Sequence, residues 1–247
     1  MDIKKYLDST YLKTAEQAGI TEKENEEIVR KTIQEAIDNN FYLVMIRPKY
    51  VKMARKMIDE AGADVKIGTV IGFPEGTLNY KLKLAEAQQA INDGADELDF
   101  VVNYPLFKKG DINMVKKEVF EGSLLGIKNG KVVKWIIEVA ALSPEEIAGL
   151  SQLIRDVVLQ SIGLEHADKV FVKSSTGFYK TEDGKPNGAT PEAIKIMIKN
   201  SDPLPVKAAG GVRSYDEAVE MINLGVKRIG TSSAKAIAEG GKTNSDY

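Results

Sequence analysis

Eight short apolar runs, each followed by a longer stretch of helical period, divide this chain from end to end, and that alternation constrains its fold more than any other feature. The runs are Tyr6–Asp8, Tyr42–Ile46, Val65–Ile71, Glu97–Val102, Val132–Glu138, Lys169–Lys173, Leu204–Ala208 and Val226–Gly230. Most are apolar throughout instead of alternating with polar residues, as parallel strands covered on both faces should be. The stretches between them open on helix-start signals. Ser143-Pro144-Glu145-Glu146 combines an N-cap, a proline at the first helical position and a capping-box glutamate. Thr21 with Glu24 and Ser214 with Glu217 keep the same capping-box spacing, and Thr190-Pro191 repeats the cap and proline. An α/β chain of 247 residues patterned in this way predicts a single-domain (β/α)8 TIM barrel over residues 1–247, with a flexible polar tail at 240–247. A doubly wound sheet is the competing architecture. No Gly-x-Gly-x-x-Gly turn follows the first run, so a dinucleotide site has no support.

Composition narrows the chemistry. The 34 basic residues nearly cancel the 36 acidic ones, so no nucleic-acid or anionic-membrane partner is expected. With no cysteine there is no disulfide, thiol nucleophile or thiolate metal site. The one histidine, His166, lies in a helix-to-strand loop, which leaves neither a Ser-His-Asp triad nor a histidine-rich zinc site; no metal site is expected. The opening Met1–Tyr6 lacks the apolar centre of a signal peptide, and no stretch approaches the roughly 20 apolar residues of a membrane span. A cytoplasmic location is expected.

Two lysines occupy equivalent places near the end of the chain. Lys173 closes Val170-Phe171-Val172, and Lys207 follows Leu204-Pro205-Val206. A lysine at the end of a buried strand is costly, because desolvation disfavours its charge. A lone one is usually a side chain snorkelling to solvent. Two on strands about 4.8 Å apart read instead as an amine nucleophile, Lys173, and the cation that depresses its pKa from roughly 10.4. Asp99 lies inside the fourth run on the same face as Glu97 and is the carboxylate expected to partner them. Glycine turns follow the last two runs, Gly210-Gly211-Val212-Arg213 and Gly230-Thr231-Ser232-Ser233, where barrels commonly hold phosphate. The polar loop from Tyr179 to Gly188 reads as solvated, with a lid carrying Lys180 or Lys185 toward phosphate as the alternative.

Several blocks carry a family resemblance. Phe171-Val172-Lys173-Ser174-Ser175-Thr176-Gly177-Phe178, Val206-Lys207-Ala208-Ala209-Gly210-Gly211-Val212-Arg213 and Arg228-Ile229-Gly230-Thr231-Ser232-Ser233 resemble the signature blocks of the deoxyribose-phosphate aldolase family. Leu7-Asp8-Ser9-Thr10-Tyr11-Leu12, Ile71-Gly72-Phe73-Pro74-Glu75-Gly76 and Asp93-Gly94-Ala95-Asp96-Glu97-Leu98-Asp99 extend the likeness over nearly the whole chain. The resemblance implies a class I aldolase, needing no cofactor or metal, that reversibly cleaves 2-deoxy-D-ribose 5-phosphate to glyceraldehyde 3-phosphate and acetaldehyde. By motif position Lys173 would form the Schiff base, Lys207 would perturb it, and Asp99 would relay protons with Lys207. Thr176, Gly177, Gly210, Gly211, Gly230, Ser232 and Ser233 would hold the substrate and its phosphate. Tyr247 would correspond to a terminal tyrosine implicated in proton transfer, and a homodimer is expected. Two positions depart from the family pattern: Met45 where many members carry cysteine, and Val139 where a threonine usually follows the glutamate. Rival readings are a transaldolase-like or other Schiff-base sugar-phosphate aldolase and a barrel that binds a sugar phosphate without catalysis.

Overall fold

In a computed structural model, which describes residues 2–182 and 184–241, the apolar runs become eight strands. They are β1 (Leu7–Thr10), β2 (Leu43–Ile46), β3 (Lys66–Ile71), β4 (Glu97–Val101), β5 (Val132–Ile136), β6 (Val170–Lys173), β7 (Val206–Ala209) and β8 (Arg228–Thr231). Each pairs in parallel with its sequence neighbours, and β8 returns to β1, closing the (β/α)8 barrel expected from the alternation. Helices α2 (Glu22–Asn39), α3 (Val51–Ala61), α4 (Tyr80–Asn92), α6 (Ile112–Lys128), α7 (Pro144–Ser161), α8 (Pro191–Ser201) and α9 (Tyr215–Leu224) connect successive strands. Three short ones, α1 (Ala15–Ala18), α5 (Tyr104–Lys108) and α10 (Ala234–Ala238), lie in loops or after β8. The capping boxes read at Thr21, Ser143 and Ser214 all form, and Thr190 caps α8.

Strand ends differ from the sequence reading for identifiable reasons. β1 starts later because Ile3–Tyr6 is a 3-10 turn capped by the Asp2 side chain. β7 starts at Val206 because Pro205 has no N–H to give the ladder; its carbonyl still accepts from Val172. β5 stops short of Glu138 because that residue takes a left-handed backbone, φ 59°.

Alternation along each strand sorts the runs into two surfaces. Leu98, Phe100, Val133, Trp135, Val170, Val172, Val206 and Ala208 face the helices and are buried there. Phe100 and Trp135 stack at 4.9 Å, and the Trp135 indole N–H donates to Ser123 of α6 at 2.9 Å. The inward set divides by side of the barrel. Leu43, Met45 and Val70 from β2 and β3, with Leu12, form a separate apolar cluster capped by Phe73 and Phe178. β1 and β4 to β8 supply charged side chains to the interior instead. Outside the barrel Lys83 of α4 is buried, donating to the carbonyls of Gly76 and Val101 at 2.7 Å each and pairing with Glu118 of α6. It ties the loop after β3 to the end of β4. Among the described residues no helix is long and apolar enough to cross a membrane. The expected tail lies outside the described residues from 242 on, Tyr247 included; Gly241, just before it, accepts from the Tyr215 N–H at 3.1 Å.

Candidate active site

The barrel interior holds one connected set of charges. Asp99 Oδ2 takes both Lys173 Nζ, at 2.8 Å, and Lys207 Nζ, at 3.0 Å, while its Oδ1 takes Lys134 Nζ at 2.7 Å. Lys134 also meets Glu97 Oε2 at 2.5 Å. Lys207 reaches Asp8 Oδ2 at 2.5 Å, and Arg228 bridges Asp8 to Glu97, the latter at 3.1 Å. All seven groups are at most 5% exposed. The two lysines singled out in the sequence are paired directly in register across β6 and β7, and Asp99 is their shared partner. Strand alternation brings this about: positions 97 and 99, 134, 173, 207 and 228 all fall on the inward side of their strands.

Charge balance then decides which lysine gives up its proton. Among the described residues the network joins by direct contact three carboxylates (Asp8, Glu97, Asp99) to four cations (Lys134, Lys173, Lys207, Arg228), one positive charge in excess, with Glu138, whose carboxyl feels the charge of Lys173, outside these contacts. Such a charge is costly, and the group with the weakest anchoring sheds it. Lys134, Lys207 and Arg228 each touch two carboxylates, whereas Lys173 touches one oxygen that it shares with Lys207. Burial, opposed by Asp99 and reinforced by Lys207, lowers the Lys173 amine to about 8. Burial raises the Asp99 carboxyl, but Lys134, Lys173 and Lys207 together hold it well below the usual carboxylate range. Burial lowers Lys134, yet Asp99, Glu97 and Asp8 outweigh it and raise the amine above its ordinary value. An amine near 8 is partly neutral at physiological pH and attacks carbonyl carbon. Imine formation with an aldehyde is therefore expected to quicken about tenfold per pH unit up to about 8 and level off above it, as followed by borohydride quenching. A rate still climbing at pH 10 would contradict this electrostatic account.

At the C-terminal rim the β6 and β7 ends are fastened by Ser174. Its hydroxyl donates to the Ala209 carbonyl and accepts from the Ala209 N–H, both at 2.9 Å. Gly177, Gly210 and Gly211 take positive φ, and Gly188 packs so closely on Gly210 that a Cβ would lie 2.2 Å from its carbonyl oxygen. Gly230 lies beside Lys207: a Cβ there would come within 3.1 Å of Lys207 Cε, so its bareness makes room for that side chain. Ser232 is exposed on the rim, and the Ser233 N–H donates to Thr231 Oγ1 at 2.9 Å. The Thr176 hydroxyl donates to Glu138 Oε2, and the Thr176 N–H does so at 3.3 Å. Burial lifts the Glu138 carboxyl to about 7, against those hydrogen bonds and the charge of Lys173. A cleft of about 590 Å3 opens on the same rim between Val139, Tyr179, Lys180, Lys185 and Thr190.

Four groups at this site have no role in the sequence reading: Asp8, Lys134, Arg228 and Glu138. Asp8 and Arg228 sit in the quoted motifs, and Glu138 ends the fifth run just before Val139, but motif resemblance alone does not say which inward charges touch. Lys134 had a visible signal, a lone lysine in Val132-Val133-Lys134-Trp135-Ile136.

Known proteins share this arrangement of the chain. A deoxyribose-phosphate aldolase from Thermococcus gammatolerans is 40% identical over 243 residues, covering 98% of this chain and 97% of the relative. One from Lactiplantibacillus plantarum is 39% identical over 238 residues, covering 96% and 99%. The solved structure of the tetrameric deoxyribose phosphate aldolase from Aeropyrum pernix superposes with a TM-score of 0.75 at 30% identity, covering 96% of this chain and 89% of that one. The model of the DeoC/LacD family aldolases matches residues 9–238, which takes in every strand but the start of β1, and with it the lysines, Glu97, Asp99, Glu138 and the rim glycines described above; Asp8 lies just before the match. On that match and those relatives, the chain belongs to the DeoC/LacD aldolase family.

Proposed function

We propose that the protein is a class I aldolase that reversibly cleaves 2-deoxy-D-ribose 5-phosphate into D-glyceraldehyde 3-phosphate and acetaldehyde. The observation that carries this reading is the buried Lys173 amine, lowered to about 8 and sharing one oxygen of Asp99 with Lys207. Neutral Lys173 attacks the C1 aldehyde of the open-chain sugar to form a carbinolamine. Lys207, fixed between Asp8 and Asp99, donates the proton with which the C1 hydroxyl leaves as water, giving the iminium. Asp99, ionised among three lysines, keeps that ammonium in place. The iminium accepts the electron pair of the breaking C2–C3 bond while a base takes the 3-hydroxyl proton. The aldehyde phosphate leaves, and the enamine is protonated and hydrolysed to acetaldehyde. Backbone amides around Gly177, Gly210 and Gly211, with Thr176, Gly230, Ser232 and Ser233, are the proposed cradle for the phosphate. Its remote binding energy orients the reacting bond. An assembly of identical subunits, a homodimer, belongs to the same proposal.

The test is mass spectrometry with peptide mapping after incubation with acetaldehyde and borohydride. A reduced two-carbon adduct on Lys173 is expected. An adduct on Lys207 would exchange the lysine roles, and folded protein without any site-selective adduct would leave a non-catalytic sugar-phosphate binder as the better reading.

A further inference from the structure

The proposed phosphate cradle is assembled from two strand ends, so its geometry depends on where the loop after β6 sits. Gly177 of that loop packs on the β7 end closely enough that a Cβ on Gly210 would lie 3.6 Å from its Cα. The Asn187 side chain donates to the Gly177 carbonyl at 3.2 Å, and among the described residues the Gly177 N–H donates to no protein group. Thr176, just before it, has no such freedom. Its hydroxyl donates to Glu138 and accepts from the Phe178 N–H at 3.0 Å, and its own N–H donates to Glu138 Oε2 at 3.3 Å. One carboxylate oxygen thus holds both donors of the residue that precedes the open amide. Glu138 is itself fixed beside the lysine strand, since the Ile137 N–H donates to the Lys173 carbonyl at 3.0 Å and the Val139 N–H to the Ser174 carbonyl at 2.9 Å. Its backbone is left-handed, a conformation that disfavours a side chain and persists where surrounding contacts impose it. The side chain is 1% exposed, its Oε1 has no partner, and burial lifts the carboxyl to about 7. Such a group costs stability, and costs of this kind gather where a segment must be held in one place for function.

We propose that Glu138 is a positioning residue for the phosphate of the substrate: by gripping Thr176 it sets the loop after β6 so that the Gly177 N–H is left to the phosphate beside Gly210 and Gly211. This inference rests on the aldolase reading and adds to it a residue that touches neither the reacting bond nor the phosphate. Backbone N–H groups bind an anion well when they converge before it arrives, whereas a loose loop must first be ordered, which weakens binding. Thr176 then serves the cradle by shaping it, its hydroxyl being engaged on both sides. Charge is not what the role requires. Ionised or neutral, the carboxyl offers Thr176 an oxygen, so an amide can take its place.

The experiment compares 2-deoxy-D-ribose 5-phosphate with 2-deoxy-D-ribose, which lacks the phosphate and needs the same lysine. Glu138→Leu removes the acceptor. Its kcat/KM for the phosphorylated sugar is expected to fall by about 10- to 100-fold, the contribution of one charge-assisted hydrogen bond to the anion. Cleavage of the plain sugar, and borohydride trapping of acetaldehyde on Lys173, are expected to stay within about threefold of the parent. Glu138→Gln still offers Thr176 an oxygen and should keep the preference for the phosphorylated sugar within about threefold of the parent's. Equal losses on both sugars in the leucine variant, no loss on either, or a glutamine variant as impaired as the leucine one overturns the assignment. Thr176→Val covers the case of a leucine variant that does not fold. It removes the hydroxyl half of the same contact and should lower the preference in the same direction, and an unchanged preference overturns the proposal. A parent that cleaves both sugars alike also overturns it, whereas a parent that traps no acetaldehyde sinks the aldolase reading itself, a separate outcome.

Discussion

Lys173→Met is expected to lower kcat/KM by about 10⁴-fold or more while leaving the fold as stable as the parent, or more stable. The first half follows from removing the only amine in the network placed to be neutral at working pH. The second follows from the charge count. Without Lys173 the three carboxylates face Lys134, Lys207 and Arg228 alone, three against three, and each carboxylate keeps two cations. Replacing a surplus buried charge by an apolar chain of similar length is neutral or stabilising, by as much as about 1–4 kcal/mol. The sign of its pH dependence is fixed by the same shift. In the parent, Lys173 titrates near 8 when folded and near 10.5 when unfolded. Below 8 both states carry the proton and the cost of the buried ammonium is felt in full. Between 8 and 10.5 the folded state has lost a proton that the unfolded chain keeps, so parent stability climbs by about 1.4 kcal/mol per pH unit in that window. The variant lacks this rise, and its advantage should therefore be greatest below pH 8. Thermal unfolding of both proteins at pH 6.5 and 9.5 measures it. A methionine variant that is several degrees less stable at pH 6.5 would show that Lys173 is a needed counterion and not a surplus one.

The barrel and the lysine pair were legible for the same reason. A parallel strand covered on both faces must be apolar, so a charge at its end stands out, and Lys173, Lys207 and Asp99 could be picked from one sequence. Contacts between distant strands could not. Arg228 and Asp8 are 220 residues apart and meet only because β8 closes on β1. Glu138 looked like part of an apolar strand, and its left-handed backbone, which turns it to Thr176, has no local signature comparable to glycine. Gly230 shows the reverse case. Its position in a glycine turn suggested phosphate, while its nearest neighbour is the Lys207 side chain. Lys83 and Glu118 were invisible as a pair because α4 and α6 are adjacent only around the closed barrel, and nothing in either helix marks a buried ion pair.

Lys134→Met tests the same count from the other side. It removes a cation that touches no proposed reacting atom, yet it should reset Lys173. With Lys134 gone, three carboxylates face Lys173, Lys207 and Arg228, and neutrality now requires Lys173 to hold its proton. Glu97 keeps Arg228, and Asp99 keeps Lys173 and Lys207, so no carboxylate is stranded and the fold should survive. The stability loss is expected at the lower end of that for broken buried pairs, about 3 kcal/mol. The Lys173 amine should move from about 8 back toward its ordinary 10.5. At pH 7 each pH unit of that rise cuts the neutral fraction, and with it imine formation, by about tenfold, burial still holding the amine below its ordinary value. Most of the loss should return at pH 10, where the parent rate has already levelled. Trapping rates measured from pH 6 to 10.5 on both proteins distinguish this from simple damage to the site. Damage lowers the rate equally at every pH, whereas a displaced counterion moves the limb and leaves the plateau. If the limb stays near 8 in Lys134→Met, the depressed amine owes nothing to Lys134, and its cause lies in burial and the neighbouring Lys207.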